Sequence, residues 1–319
     1  MHPEILVDGL NVFMRHYCAN PTVSLNNEQC GGIVGFLRNI QHLSDKFQPS
    51  KITVVWEGGG SQRRRSISKN YKAGRRPVKL NRSGYYSEQY DTKDNRDSQL
   101  SILIELLKYI PVTQIYVNDC EADDVIGYLC KNEKQHQQKI IVTSDKDYYQ
   151  LIDDNTTIWS PNQKKIINKE VVLEKSGISA TNYCTARCFI GDQSDGIKGI
   201  KGAGFKTMLK FFPELSSDEF ISVNEIMDKA NNIESKAKVI SEINNNNNKI
   251  NTNWQLMYLD AACLSWSQIS SIKNQYKTEV KKANKMDLMR IMIREGLNNF
   301  DINNLAFSTN AILNRKVNV

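Results

Sequence analysis

Seven carboxylates stand directly behind four short apolar stretches of this chain. Asp8 follows "EILV", Glu57 follows "KITVVW", Glu121, Asp123 and Asp124 follow "QIYV", and Asp145 and Asp147 follow "KIIVT". One acid in such a place is ordinarily a helix cap or a turn residue. Seven after four successive stretches are different, because once brought together they would repel one another unless a cation neutralised them. Oxygen donors without histidine or cysteine select hard ions, so the pattern points to magnesium, with manganese able to substitute, and the number of acids points to two ions.

Whether these acids meet depends on the elements that carry them. The four stretches are rich in Val and Ile and read as buried strands. Between them, "CGGIVGFLRNIQHLSDKF" and "DSQLSILIELLKYI" have helical spacing. The alternation predicts an α/β fold, a central mostly parallel sheet with crossover helices. In an open parallel sheet the carboxyl ends of the strands face one crevice, so all seven acids should converge there. Beyond Trp159 the strand signal fades and helices dominate, including "FKTMLKFF", with the asparagine run Asn244 to Asn248 read as a surface loop. The expected division is an α/β domain over residues 1–160 and a mostly helical region over residues 161–319.

Composition narrows the partners. No apolar run approaches the ~20 residues of a membrane span, and the first residues are interrupted by Asp8 without a basic leader, so the expectation is a cytoplasmic protein without a signal peptide. Seven cysteines without a Cys-x-x-Cys pair fit reduced thiols, and Cys184 with Cys188 reads as two buried thiols rather than zinc ligands. The net charge of +7 favours a polyanion partner. Much of it sits in "QRRRSISKNYKAGRR", where Arg63, Arg64, Arg65, Lys69, Lys72, Arg75 and Arg76 surround Tyr71 without one acid. Such a run is either a solvated basic face or a nucleic-acid contact.

The stretch "GDQSDGIKGIKGAGFKT", residues 191–207, resembles a phosphate cradle but fails both common templates. Phe205 intrudes before Lys206 and Thr207 where a nucleotide-binding loop needs Gly-Lys-Thr, and Thr207 replaces the third glycine of the dinucleotide fingerprint. A kinase or ATPase is thereby excluded. The remaining reading is a tight glycine turn between two helices. Gly199, Gly202 and Gly204 would permit positive φ and close approach, the helix after Gly204 would present free N–H groups to phosphate, and Lys198, Lys201 and Lys206 would add charge. This grip would engage the backbone of a nucleic acid and read no base.

Taken in order, "LVDGLN", "YKAGRR", "EADDVIG", "TSDKDYYQL" and the glycine stretch resemble the structure-specific 5′ nuclease family: flap endonucleases, the 5′ nuclease domain of bacterial DNA polymerase I, and bacteriophage 5′–3′ exonucleases, also called phage RNase H. The matches run from Ile5 to Pro213, and "NWQLMYLDA" is similar to a segment that follows the DNA-binding motif in relatives. The resemblance implies a PIN-like nuclease domain with a basic arch over about residues 62–99, then a helix-3-turn-helix DNA-binding region. It implies that Asp8, Glu57, Glu121 and Asp123 surround a first metal with Asp124 close by, and that Asp145, Asp147, Asp192 and Asp195 serve a second. Tyr71 would stack on a terminal base, Lys72 would contact the scissile phosphate, and Arg75 or Arg76 would make a further phosphate contact. Arg63, Arg64, Arg65, Lys69 and the glycine turn through Thr207 would hold DNA, with a potassium ion on the turn's carbonyls. Glu57 departs from the family, which usually has Asp there.

The implied activity is 5′–3′ exonuclease and flap endonuclease hydrolysis at 5′ ends or flaps of DNA and RNA–DNA duplexes, two metals lowering the pKa of water and neutralising the developing charge. As a nuclease without an attached polymerase it most resembles the free-standing phage type. That implies a monomer in the cytoplasm of a bacterium or a phage-infected cell, removing RNA primers during DNA replication alongside a single-stranded-DNA-binding protein or other replication proteins. Two alternatives stand beside this: a branched-DNA-binding protein of the same fold that does not cut, and a ribonuclease of the related small nuclease fold, which would lack the glycine turn.

Overall fold

The computed structural model describes residues 2–74, 80, 92–133, 135–235 and 237–315. Its six-stranded sheet consists of β1 (Glu4–Asp8), β2 (Lys51–Trp56), β3 (Thr113–Tyr116), β4 (Lys139–Val142), β5 (Thr156–Ser160) and β6 (Lys165–Ile167), in the order β3-β2-β1-β4-β5-β6. All neighbours pair in parallel except β5 with β6. Every residue of β1 is buried, which requires cover on both faces of the sheet. Alternation along the strands sorts the cover. Ile5, Val7, Ile52, Val54, Ile140 and Val142 join one apolar cluster, while Leu6, Val55 and Ile141 join another.

The first face is covered by α1 (Gly9–Ala19), α2 (Gly31–Phe47) and α4 (Lys93–Leu107), with the short α3 (Gln62–Ile67) preceding α4 in the chain. The second is covered by α5 (Ala122–Asn132) and a 3-10 turn over Asp147–Leu151. Asp8 ends β1 and caps α1 by accepting a hydrogen bond from the Asn11 amide, so the first strand passes into its helix without an intervening loop. There follow α6 (Lys169–Ser176), α7 (Tyr183–Ile190), α8 (Phe205–Phe211), α9 (Val223–Asn232), α10 (Lys238–Asn244) and α11 (Asn247–Met257), and α7 to α11 build a third core around Phe189, Met208, Ile226 and Ile250. The chain closes with α12 (Trp266–Tyr276), α13 (Lys285–Arg294) and α14 (Ile302–Arg315). Among the described residues no helix is long and apolar enough to cross a membrane.

Three expectations change. The division at residue 160 does not describe the packing: Ile272 and Tyr276 of α12 join the second-face cluster, and Leu288 and Ile291 of α13 with Leu305 and Ile312 of α14 join the first. The end of the chain thus completes the core begun by its first strand. Strands do not stop at Trp159, since β5 carries on to Ser160 and β6 pairs back against it; β5 is polar at three of its five positions and β6 has only three residues. The asparagine run is a helix junction, with Asn244 ending α10, Asn246 preceding α11 and Asn247 beginning it.

Leu305 is fully buried among side chains of the amino-terminal strands and helices. Leu305→Ala should therefore cost about 2–5 kcal/mol of global stability in urea unfolding, as one cooperative transition. Two separable transitions, only one of them shifted, would instead support independent units meeting near residue 160.

Candidate active site

Strand order reverses between β1 and β4, so the carboxyl ends of these two strands flank the crevice at which an open α/β sheet binds its ligand. Asp8 sits there, its Oδ2 accepting a hydrogen bond from the Tyr148 hydroxyl at 3.1 Å. Burial above all, with the negative charges of Asp145 and Asp123, pushes its pKa up to about 7. Glu57 is pushed up to about 8, by burial first and then by Asp123, Asp8 and Glu121. Despite its extra methylene, Glu57 therefore joins the same cluster. Asp145 is raised by burial and by Asp123 and Asp195, and Asp147 is pushed up to about 7 by burial and by Asp145. The acids predicted to converge from separate strands do so.

Three cations stand among them. Arg64 is wholly buried: its Nη1 donates to Glu121 Oε2 at 2.6 Å and to Asp123 Oδ1 at 3.2 Å, and both terminal nitrogens grip Asp124, at 2.9 and 2.8 Å. Its Nε donates to the Leu256 carbonyl at 2.8 Å. This corrects the expectation that Arg64 contacts DNA, because its guanidinium faces inward as the counter-ion of three acids. Its position one turn before Ile67, on the inward face of α3, was the available signal. Lys72 Nζ lies 2.7 Å from Glu121 Oε2 and 3.9 Å from Asp195 Oδ2, and the Tyr71 hydroxyl donates to the same Glu121 oxygen at 2.9 Å. Tyr71 is 7% exposed, so its ring packs inside rather than standing open to a base. Arg187 on α7 bridges Asp192 and Asp147; the sequence reading missed it because it is a lone arginine in an apolar helix.

Among the described residues, no three His, Cys, Asp or Glu side chains are gathered to hold an ion, and oxygens of Glu121, Asp123 and Asp124 are turned onto Arg64. The donor chemistry nevertheless fits a hard divalent cation. It is all oxygen, and Asp8, Glu57, Asp145 and Asp147 are raised by burial first and then by neighbouring carboxylates.

The glycine turn borders this crevice. Strand β7 (Gly191–Asp192) pairs with β8 (Ile197–Lys198), and the backbone of Gly196 lies so near Asn70 that a Cβ would sit 2.8 Å from the Asn70 carbonyl oxygen. The Lys72 amide donates to the Asp195 carbonyl at 2.9 Å, and Lys72 adopts a left-handed φ of 56°, a strained conformation that this contact helps to hold. Of the three glycines expected to need positive φ, only Gly202 has it. Gly199 is required for close approach, since a Cβ would meet the Ile190 carbonyl oxygen at 1.9 Å, and Gly204 is extended with open space around it. Lys198, Lys201 and Lys206 are exposed and Thr207 is half-buried. Lys249 of α11 donates to the Gly199 carbonyl at 2.6 Å. At the base of the basic segment Arg65 and Lys69 are exposed, while Arg63 is half-buried and donates to the Gln255 carbonyl. Arg75 and Arg76 lie outside the described residues.

Removing Arg64 leaves buried acids without their counter-ion. Arg64→Gln should destabilise the chain by about 3–5 kcal/mol in urea unfolding while leaving the salt dependence of duplex DNA binding unchanged; a phosphate contact would instead lower that slope by roughly one. The raised acids also set a pH trend. Free carboxylates titrate near about 4, so between roughly pH 4 and pH 8 the folded chain holds protons that the unfolded chain has released, and stability falls as pH rises. Asp123 and Asp192 resist burial through Arg64 and through Ser194 with Arg187 respectively, are held below the ordinary range, and act only at lower pH. In EDTA the Tm should be higher near about pH 5.5 than near about pH 8.5, and magnesium should narrow the gap by replacing protons. A Tm that rises with pH in EDTA would mean that the internal cations already balance the cluster.

Residues 3–177 match the family described as the 5′-3′ exonuclease, N-terminal resolvase-like domain. The chain is 31% identical over 218 residues to a 5′-3′ exonuclease of Buchnera aphidicola subsp. Schizaphis graminum, covering 67% of this chain and 71% of that protein. It is 29% identical over 236 residues to the thermostable DNA polymerase I of Thermus thermophilus, covering 73% of this chain but 26% of the polymerase. In fold it is similar to the bacteriophage T5 D15 flap endonuclease, solved as a pseudo-enzyme-product complex with DNA and metal ions, with a TM-score of 0.67 and 19% identity over 92% of this chain and 98% of that one. The match runs through every strand-end acid from Asp8 to Asp147, and the chain belongs to the 5′–3′ exonuclease family of phosphodiester hydrolases.

Proposed function

We propose that this chain is a divalent-metal-dependent nuclease that cuts phosphodiesters at 5′ ends or flaps of DNA and RNA–DNA duplexes, and that its task is removal of RNA primers in DNA replication. The observation that carries the reading is the crevice itself: Asp8, Glu57, Asp145 and Asp147 crowd together with pKa values raised by burial and mutual repulsion. It is supported by the T5 D15 flap endonuclease, which was crystallised with DNA and metal ions.

In this reading Asp8, Glu57, Glu121 and Asp123 hold one ion, with Asp124 orienting them from its clasp with Arg64, and Asp145, Asp147, Asp192 and Asp195 serve a second. When bound, magnesium or manganese supplies a hydroxide-like water and neutralises charge on the phosphate. The chain's own residues do the rest. Lys72 turns from Glu121 toward the scissile phosphate and stabilises its growing negative charge. Tyr71 must leave its buried place on Glu121 to stack on a base, so stacking belongs to a substrate-bound arrangement. Arg65, Lys69, Lys198, Lys201 and Lys206 grip the sugar–phosphate backbone, and Gly202 with Gly204 lets it come close. A potassium ion on the turn's carbonyls would have to share Gly199 with Lys249. Partnership with a single-stranded-DNA-binding protein, a monomeric state and a cytoplasmic setting complete the proposal.

The test is cleavage of a 5′-flapped duplex, labelled on the flap. Release should require magnesium, stop in EDTA, and fall roughly 10²-fold or more in Asp145→Asn, the loss of several kcal/mol of charge stabilisation. Tight binding without cleavage in magnesium or manganese would favour the non-cutting alternative. Unchanged metal affinity and activity in Glu57→Ala would remove Glu57 from the first set.

A further inference from the structure

Far in sequence from the acid crevice, α13 and α14 leave an apolar surface uncovered. On α13, Leu288, Ile291 and Met292 face the core, while Met286, Met289 and Ile293 are 83%, 52% and 58% exposed. Helical spacing places these three in one stripe, with Lys285 on one flank and Arg290 on the other. Phe307 of α14 is 79% exposed. It borders a cavity of about 570 Å³ whose walls include Lys282, Lys285, Asn310 and Ala311. Ala311 in its wall carries only a methyl group, and the Asn310 side chain is turned to accept from the Ala283 amide at 2.8 Å, which leaves room for a helix against α14. Lys285, on the flank of the α13 stripe, also lines this cavity, so the two apolar features share an edge; exposed large apolar side chains mark a binding surface, and methionines suit one that must fit a partner's side chains.

Charge says what covers it. Between Lys277 and Arg294 there are six basic and two acidic residues, and one of those acids, Asp287, is already paired with Arg290. Among the described residues no ion pair engages Lys281, Lys282 or Lys285. A nucleic-acid backbone would satisfy the lysines but gains nothing from Met289, Ile293 or Phe307. A second copy of the chain would present the same positive face and be repelled. We propose that this face docks an acidic amphipathic helix of a partner protein, its apolar side chains seated beside Phe307 and Met289 and its carboxylates on Lys282 and Lys285. The proposal is independent of the cleavage reading, because none of these residues belongs to the crevice or the glycine turn.

The probe is a fluorescein-labelled synthetic helix of about four turns with leucine at i, i+3, i+4 and i+7 and glutamate elsewhere, alongside a scrambled version of equal charge and a version with lysine for glutamate. Anisotropy with the full chain should show binding of the acidic amphipathic peptide only. The double variant Met289→Ser with Phe307→Ser should weaken it by about tenfold or more, and Lys282→Glu with Lys285→Glu should reverse the preference toward the lysine peptide. Both variants should keep the wild-type Tm and flap cleavage, since all four positions lie at the surface. Equal binding of the scrambled peptide, or no binding of the acidic one, would overturn the proposal. So would loss of duplex DNA or anionic-vesicle binding in the serine variant without any effect on the peptide.

Discussion

Charge balance at the carboxyl ends of the sheet governs this molecule. Asp8, Glu57, Glu121, Asp123, Asp124, Asp145 and Asp147 are delivered to one crevice by parallel strands that leave no choice of direction, and Asp192 reaches Asp147 through a shared arginine. Burial and repulsion there would oppose folding if nothing answered them. The answer comes in unequal parts. Arg64 takes up Glu121, Asp123 and Asp124; Arg187 takes up Asp147 and Asp192; Lys72 spans Glu121 and Asp195. Burial and mutual repulsion still leave Asp8, Glu57, Asp124, Asp145 and Asp147 with raised pKa values, Asp124 and Asp147 despite the arginines beside them.

The same balance explains why the helical half is built against the sheet. Arg64 can lie inside only because its remaining nitrogen finds the Leu256 carbonyl at the end of α11, and its neighbour Arg63 finds that of Gln255. α11 also reaches the glycine turn, where Asn253 donates to the Cys188 and Lys198 carbonyls and Lys249 to that of Gly199. One helix therefore ties the base of the basic segment, the acids and the glycine turn into a fixed relation.

Tyr71 and Lys72 stand at the junction of these parts. Both spend their polar atoms on Glu121, and Lys72 does so from a left-handed backbone braced by the Asp195 carbonyl. A phosphate arriving beside them would offer Lys72 a second anion, while a cation would relieve Glu121 of its need for both.

Much of this was legible in the residues alone. Strand periodicity and the acid behind each strand are local signals, and a parallel sheet converts them into one crevice by geometry, so the fold class and the gathering of the acids followed from sequence. The glycine stretch was recognisable as a turn from the density of its glycines, but only the fold shows that Gly202 alone of the three has positive φ and that Gly199 is required by the Ile190 carbonyl against it. Sequence could not say which arginine of "RRR" turns inward, that Arg187 would bridge two acids, or that α12 to α14 would return to cover the first strand. Nor could it show that Tyr71 is buried on Glu121. Each of these depends on partners dozens to hundreds of residues away, and a side chain's choice between solvent and an internal counter-ion is made by the field of the assembled fold, which no local pattern contains.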